Sequence, residues 1–125
     1  MHKAPVPLKL ERVREIPQSF SWIDRRLIQN NILAYLSKDE KVLYFFLLTV
    51  ANKQGVSYYG PRKLRLHTGL TKNELITACT GLEEMDLIAY RSPFYQVLSL
   101  PDEPAWRRIS AKRFRSRLEQ RKVMP

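Results

Sequence analysis

The chain has 125 residues, with 22 Lys and Arg against 12 Asp and Glu, for a formal net charge of +10. That length suits one domain with a modest core, and 44% hydrophobic with 10% aromatic residues excludes a wholly disordered chain. A single cysteine, Cys79, excludes an intrachain disulfide framework, and with only His2 and His67 beside it a Cys/His zinc site is excluded as well.

The longest apolar run, Val42 to Ala51 broken only by Thr49, is about half a membrane span and reads as a core helix. The N-terminus has no charged start followed by an apolar stretch, so no secretory leader is expected. A reducing cytoplasm is the expected compartment. The basic excess points to an anionic partner, and it is unevenly placed. Arg62, Lys63 and Arg65 stand without an acid between positions 56 and 70. Arg107, Arg108, Lys112, Arg113, Arg115, Arg117, Arg121 and Lys122 face only Asp102, Glu103 and Glu119 in the tail.

Pro5, Pro7 and Pro17 mark residues 1–20 as an extended arm. Ser21 with Asp24 resembles a capping box, so a first helix is expected from near Trp22 to Leu36, with Ile23, Leu27, Ile28, Ile32 and Leu36 on one face. That stripe needs a cover, either the domain itself or a second copy. Ser37 with Glu40 is a complete capping box. It opens a second helix to about Lys53, expected to be buried on most sides, with Phe46 at its centre and Gly55 as terminator. Val56 to Tyr59 reads as a brief strand.

Gly60-Pro61 starts a short helix with Leu64 and Leu66 facing inward, and Gly69 ends it. Thr71 with Glu74 caps the next helix, whose apolar period runs through Leu75, Ala78, Cys79, Leu82 and Met85. After Asp86 the period becomes two. Leu87 to Arg91 and Phe94 to Leu100 form paired strands about a Ser92-Pro93 turn. Pro101 and Pro104 mark the exit from the sheet. The last segment has the apolar residues Trp106, Ile109, Phe114 and Leu118 but charges all around its axis, so it is expected to order on binding.

This order of elements resembles the winged helix-turn-helix superfamily from Ser37 to Leu100. The residues carrying the resemblance are Pro61-Arg62-Lys63-Leu64-Arg65-Leu66-His67-Thr68-Gly69-Leu70-Thr71-Lys72-Asn73-Glu74-Leu75, then Leu82 and Leu87-Ile88-Ala89-Tyr90. The chain is also similar to small basic proteins of bacterial plasmids and transposable elements, and to N-terminal domains of replication initiators. The fold so implied is mainly α within α+β. It adds a first helix, a short β-hairpin wing and a basic C-terminal helix or tail, in three parts at 1–20, 21–101 and 102–125.

Such a fold lays its second helix in the major groove. Thr71, Lys72, Asn73, Ile76, Thr77 and Thr80 lie off the core stripe and are the expected base-facing positions, with Asn73 suited to adenine. Arg62, Lys63, Arg65, Arg91, Arg107, Arg108, Lys112, Arg113, Arg115 and Arg117 are the expected phosphate contacts. Two features run against a duplex. Glu83, Glu84 and Asp86 crowd the end of that helix, and the wing tip offers only Arg91 as a charge.

No GxxxxGK[ST], GxGxxG, HExxH or GxSxG occurs, so the phosphate cradles and nucleophile elbows of common enzymes are missing. Capping accounts for Glu40. Cys79 reads as a core residue, Tyr58 and Tyr59 as half-buried strand residues that alternatively stack on unpaired bases, and Trp22 and Trp106 as anchors. The expectation is a non-enzymatic, cytoplasmic, nucleoid-associated protein that binds double-stranded DNA sequence-specifically. It would regulate transcription or serve a bacterial replicon or mobile element, as a homodimer through the first helix. No cofactor, metal, membrane or small-molecule ligand is expected. The rival is a protein-interaction module whose basic tail meets an acidic partner or RNA.

Overall fold

The structure, a computed structural model, describes residues 4–123, with side chains through position 119. Among these residues the chain is mixed α+β, with five helices and one small antiparallel sheet. Residues 4–23 are exposed throughout and contain a single 3-10 turn, Leu10–Arg12.

The helix expected from Trp22 to Leu36 is broken. Helix α1 is only Arg26–Gln29, Asn31 turns left-handed at φ 58°, and Leu33–Tyr35 is a 3-10 turn. Asparagine tolerates that backbone better than most residues, and a residue there ends a right-handed helix. Nor do Ser21 and Asp24 form a box. The Ser21 hydroxyl donates to the Leu48 carbonyl, while the Asp24 carboxylate accepts from the Arg26 N–H at 2.9 Å and pairs with its guanidinium. The broken path still turns Leu27, Ile32 and Leu36 into the core and leaves Ile23 and Ile28 outside. The five-residue stripe is therefore split. Trp22 is no core anchor, being 71% exposed.

Helix α2, Lys38–Val50, has both halves of its capping box, with Glu40 N–H to Ser37 Oγ at 3.1 Å and Ser37 N–H to Glu40 Oε1 at 2.8 Å. It stops before Lys53, because Ala51 is already extended; Gly55 lies in the turn into β1. Only one side is buried. Leu43, Tyr44 and Leu47 face the core, whereas Val42 and Phe45 face water and Phe46 is half-buried. An apolar run hides the amphipathic face when aromatic residues occupy both sides of a helix.

Strand β1, Val56–Tyr58, leads to α3, Pro61–Thr68, and α4, Lys72–Glu84; then β2, Ile88–Arg91, and β3, Phe94–Val97, form a hairpin. The strand order is β1-β3-β2, antiparallel throughout. Leu64 of α3 is fully buried, but Leu66 is 79% exposed, contrary to its expected inward position. Two residues on from Leu64, it falls on the opposite side of the helix. All five members of the α4 stripe are buried, and with Leu43, Leu47, Leu87 and Ile88 they form the centre of the core.

The tail forms helix α5, Glu103–Val123. Trp106 and Ile109 pack against the core, and the Trp106 ring meets Tyr35 edge-to-face at 5.5 Å. Burial of this first turn holds the helix down, which its charge pattern alone does not reveal. Among the described residues no helix is long and apolar enough to cross a membrane.

Candidate nucleic-acid interface

The turn between α3 and α4 is fixed by three local devices. Gly69 ends α3 at φ 75°, a left-handed conformation that a Cβ disfavours, and its N–H reaches the Arg65 carbonyl at 2.9 Å. The Thr68 hydroxyl donates to Leu64 O at 2.7 Å, and Leu70 is buried beneath the turn. Thr71 then caps α4, its Oγ accepting from Glu74 N–H at 3.2 Å while Glu74 Oε1 takes the Thr71 N–H at 2.8 Å.

With Leu75, Ala78 and Leu82 committed to the core, α4 presents Lys72, Asn73, Ile76, Thr77 and Thr80 outward as one exposed face. Five of the six expected base-facing residues are thus free and neighbouring. The sixth, Thr71, is exposed but spends its hydroxyl oxygen on the cap. Glu83 and Glu84 are exposed as well. They sit at the far end of the same helix.

The expected phosphate contacts divide into two groups. Arg62, Lys63 and Arg65 on α3, Arg91 at the hairpin, and Arg108, Lys112 and Arg115 on α5 are exposed. Arg107 is exposed but paired with Glu103 at 2.5 Å. Arg113 is turned against the protein, and Arg117, though exposed, is engaged by it. The Arg113 side chain is 14% exposed and holds Glu40 through two bonds, Nη1 to Oε1 at 2.5 Å and Nη2 to Oε2 at 2.7 Å. It also donates to the Tyr35 carbonyl at 2.9 Å, as Arg117 does at 2.6 Å. Arg113 is therefore a tie between helices and not a phosphate contact, because both its Nη groups are already used.

Glu40 does more than cap. Its carboxylate lies so close to α4 that a Cβ at Gly81 would stand 1.7 Å from Oε2, which makes position 81 a glycine for reasons of space. Burial by itself favours the protonated acid, but the Arg113 hydrogen bonds and the Ser37 N–H outweigh it and hold the carboxyl below its ordinary value. Sequence alone did not mark this contact. Arg113 is one of eight basic residues in the tail, and nothing in its spacing singles it out.

Cys79 is buried, and burial with the Glu83 carboxylate pushes its thiol up to about 11, the behaviour of a core residue and not of a nucleophile. Among the described residues no three His, Cys, Asp or Glu side chains gather to hold a metal. Comparisons with protein-family models, curated proteins and solved structures find no match to this chain.

Proposed function

We propose that this chain is a winged helix-turn-helix protein that binds double-stranded DNA through α4. The arrangement α2, β1, α3, α4, β2, β3 supports the fold assignment, since it is the element order that the resemblance implies. One observation carries the function: Lys72, Asn73, Ile76, Thr77 and Thr80 form an exposed polar and methyl-bearing face, directly after an α3 that bears Arg62, Lys63 and Arg65. A groove-reading helix needs hydrogen-bonding and methyl groups for base edges and cations nearby for phosphates. Arg108, Lys112 and Arg115 on α5 supply further backbone contacts in this reading.

The protein then acts without catalysis, in the cytoplasm with the nucleoid, as a regulator of transcription or an accessory factor of a bacterial replicon or mobile element. Self-association has only Ile23 and Ile28 left exposed from the first stripe, and sedimentation at micromolar concentration reads it. A second reading, docking of a protein, draws on the exposed Val42 and Phe45 of α2 and the acidic end of α4.

Fluorescence anisotropy with random duplex over a salt series tests the proposal. Binding whose affinity falls steeply with salt, by about 0.9 log units per log unit of salt for each phosphate contact, supports it. No duplex binding near physiological salt overturns it in favour of protein docking.

A further inference from the structure

The sheet has one face on the core and one in water, and the watery face is not bland. Register aligns Tyr58 of β1 with Phe94 of β3, and Phe94 with Arg91 of β2. Residues directly opposite on paired strands project to the same side, so these three make one row across the sheet. Burial alternates along β1 and β3, while Tyr90 of β2, opposite Tyr95, is 38% exposed. Ser57 and Tyr95 in the adjacent row are buried, while Tyr58 is 66% and Phe94 51% exposed and Arg91 is exposed. The two aromatic rings meet edge-to-face at 5.5 Å and 67°. An open cleft of about 380 Å³ beside Arg91 and Phe94 is lined also by Ala89, Gln96, Val56, Tyr90 and Tyr95, and none of its lining residues is acidic.

Two aromatic rings and a guanidinium standing together in water form a surface with a definite chemical preference. The rings favour a flat partner, because nucleic-acid bases stack on aromatic side chains, and Arg91 favours an anion beside it. The +10 charge of the chain repels cationic partners, and the exposed Arg62 and Lys63 follow β1 in the chain, at the start of α3. A flat ring joined to a phosphate is a nucleotide. A duplex hides its base faces in the stack, so the row suits an unpaired base.

We propose that Tyr58, Phe94 and Arg91 form a stacking platform for unpaired bases of single-stranded nucleic acid, with Arg91 meeting the adjoining phosphate. The platform uses no residue of α4, and of the expected duplex phosphate contacts it takes only Arg91. It gives the sheet a task separate from that of the helices: holding an opened or single-stranded stretch beside a bound duplex.

Anisotropy of the full chain with labelled oligothymidine of about ten nucleotides, with an abasic strand of the same length, and with a duplex separates the possibilities. Oligothymidine should bind more tightly than the abasic strand. Tyr58→Ala and Phe94→Ala should each weaken it by about fivefold to a hundredfold, with no loss on the abasic strand. Tyr58→Phe and Phe94→Tyr, which keep the rings, should restore binding, and Asn73→Ala should leave it unchanged. Arg91→Gln should weaken both single strands and lower their salt dependence. Equal binding of base-bearing and abasic strands overturns the platform. So does retention of affinity in the alanine variants while circular dichroism shows them folded. Duplex binding without single-strand binding overturns it too, and leaves the duplex reading standing. Ring-dependent binding of duplex alone overturns it by assigning the rings to the duplex contact.

Discussion

Arg113 on α5 and Glu40 on α2 stand 73 positions apart in the chain and meet through two short charge-assisted hydrogen bonds, 2.5 and 2.7 Å. The pair lies against Gly81 of α4, so three helices converge on one ion pair. Glu40 is 5% exposed, and removing one partner of a buried pair leaves the other charge without compensation. Arg113→Ala should cost about 3–5 kcal/mol in urea unfolding. A loss under about 1 kcal/mol would show that water replaces the guanidinium freely and that α5 is not fastened there.

The same pair predicts an acid sensitivity. The native carboxyl of Glu40 is held below its ordinary value of 4.5, so the unfolded chain takes up the proton first as the pH falls. Its stabilising contribution is therefore full above the ordinary glutamate range and is lost as the pH drops through the lower native value. The gap in unfolding midpoint between wild type and Glu40→Gln should narrow from about pH 6 to about pH 3. A gap that stays constant over that range means that the charge of Glu40 is not what the pair contributes.

Core placement gives a third test. Leu47 is fully buried, whereas Phe46 is half-buried and sits in a surface cluster with Tyr59 at 5.1 Å and a stacked His67 at 5.4 Å. Leu47→Ala should cost about 2–5 kcal/mol, and Phe46→Ala less, about 1–3 kcal/mol. Chemical denaturation of the two variants ranks them, and the reverse order contradicts the packing described for α2.

Those residues also show what the sequence disclosed. The capping boxes at Ser37–Glu40 and Thr71–Glu74 and the period of α4 are local, so they were legible and recur in the structure. The hairpin was legible for the same reason, although its second strand ends at Val97 and not at Leu100. What failed was the assignment of faces where both sides of a segment are apolar. Phe45, Phe46 and Tyr58 have side chains whose burial depends on what packs against them, and composition is silent on that; Leu66 was misplaced against the helical period itself. The break at Asn31 overrode a helical period that was otherwise good. Within the candidate interface, the exposed face of α4 followed from knowing its buried stripe. Arg113 did not, since a tail of basic residues gives no hint of which one turns inward.

The last prediction separates reading from clamping. If Asn73 and Thr77 meet base edges, changing either to Ala should cost about 1–3 kcal/mol on the preferred site and little on random DNA. Arg108, Lys112 and Arg115 are exposed on α5, whereas Arg113 and Arg117 are engaged by the protein. Neutralising the first three should therefore weaken every duplex about equally and flatten the salt dependence by about 0.9 per lost contact, because fewer counterions are released. The two sets should be close to additive, being on different helices without shared partners. Binding isotherms on selected and random duplexes, with the unfolding midpoint of each variant as a control, test this. If the α5 variant loses site preference while Asn73→Ala keeps it, α5 reads the sequence and α4 does not.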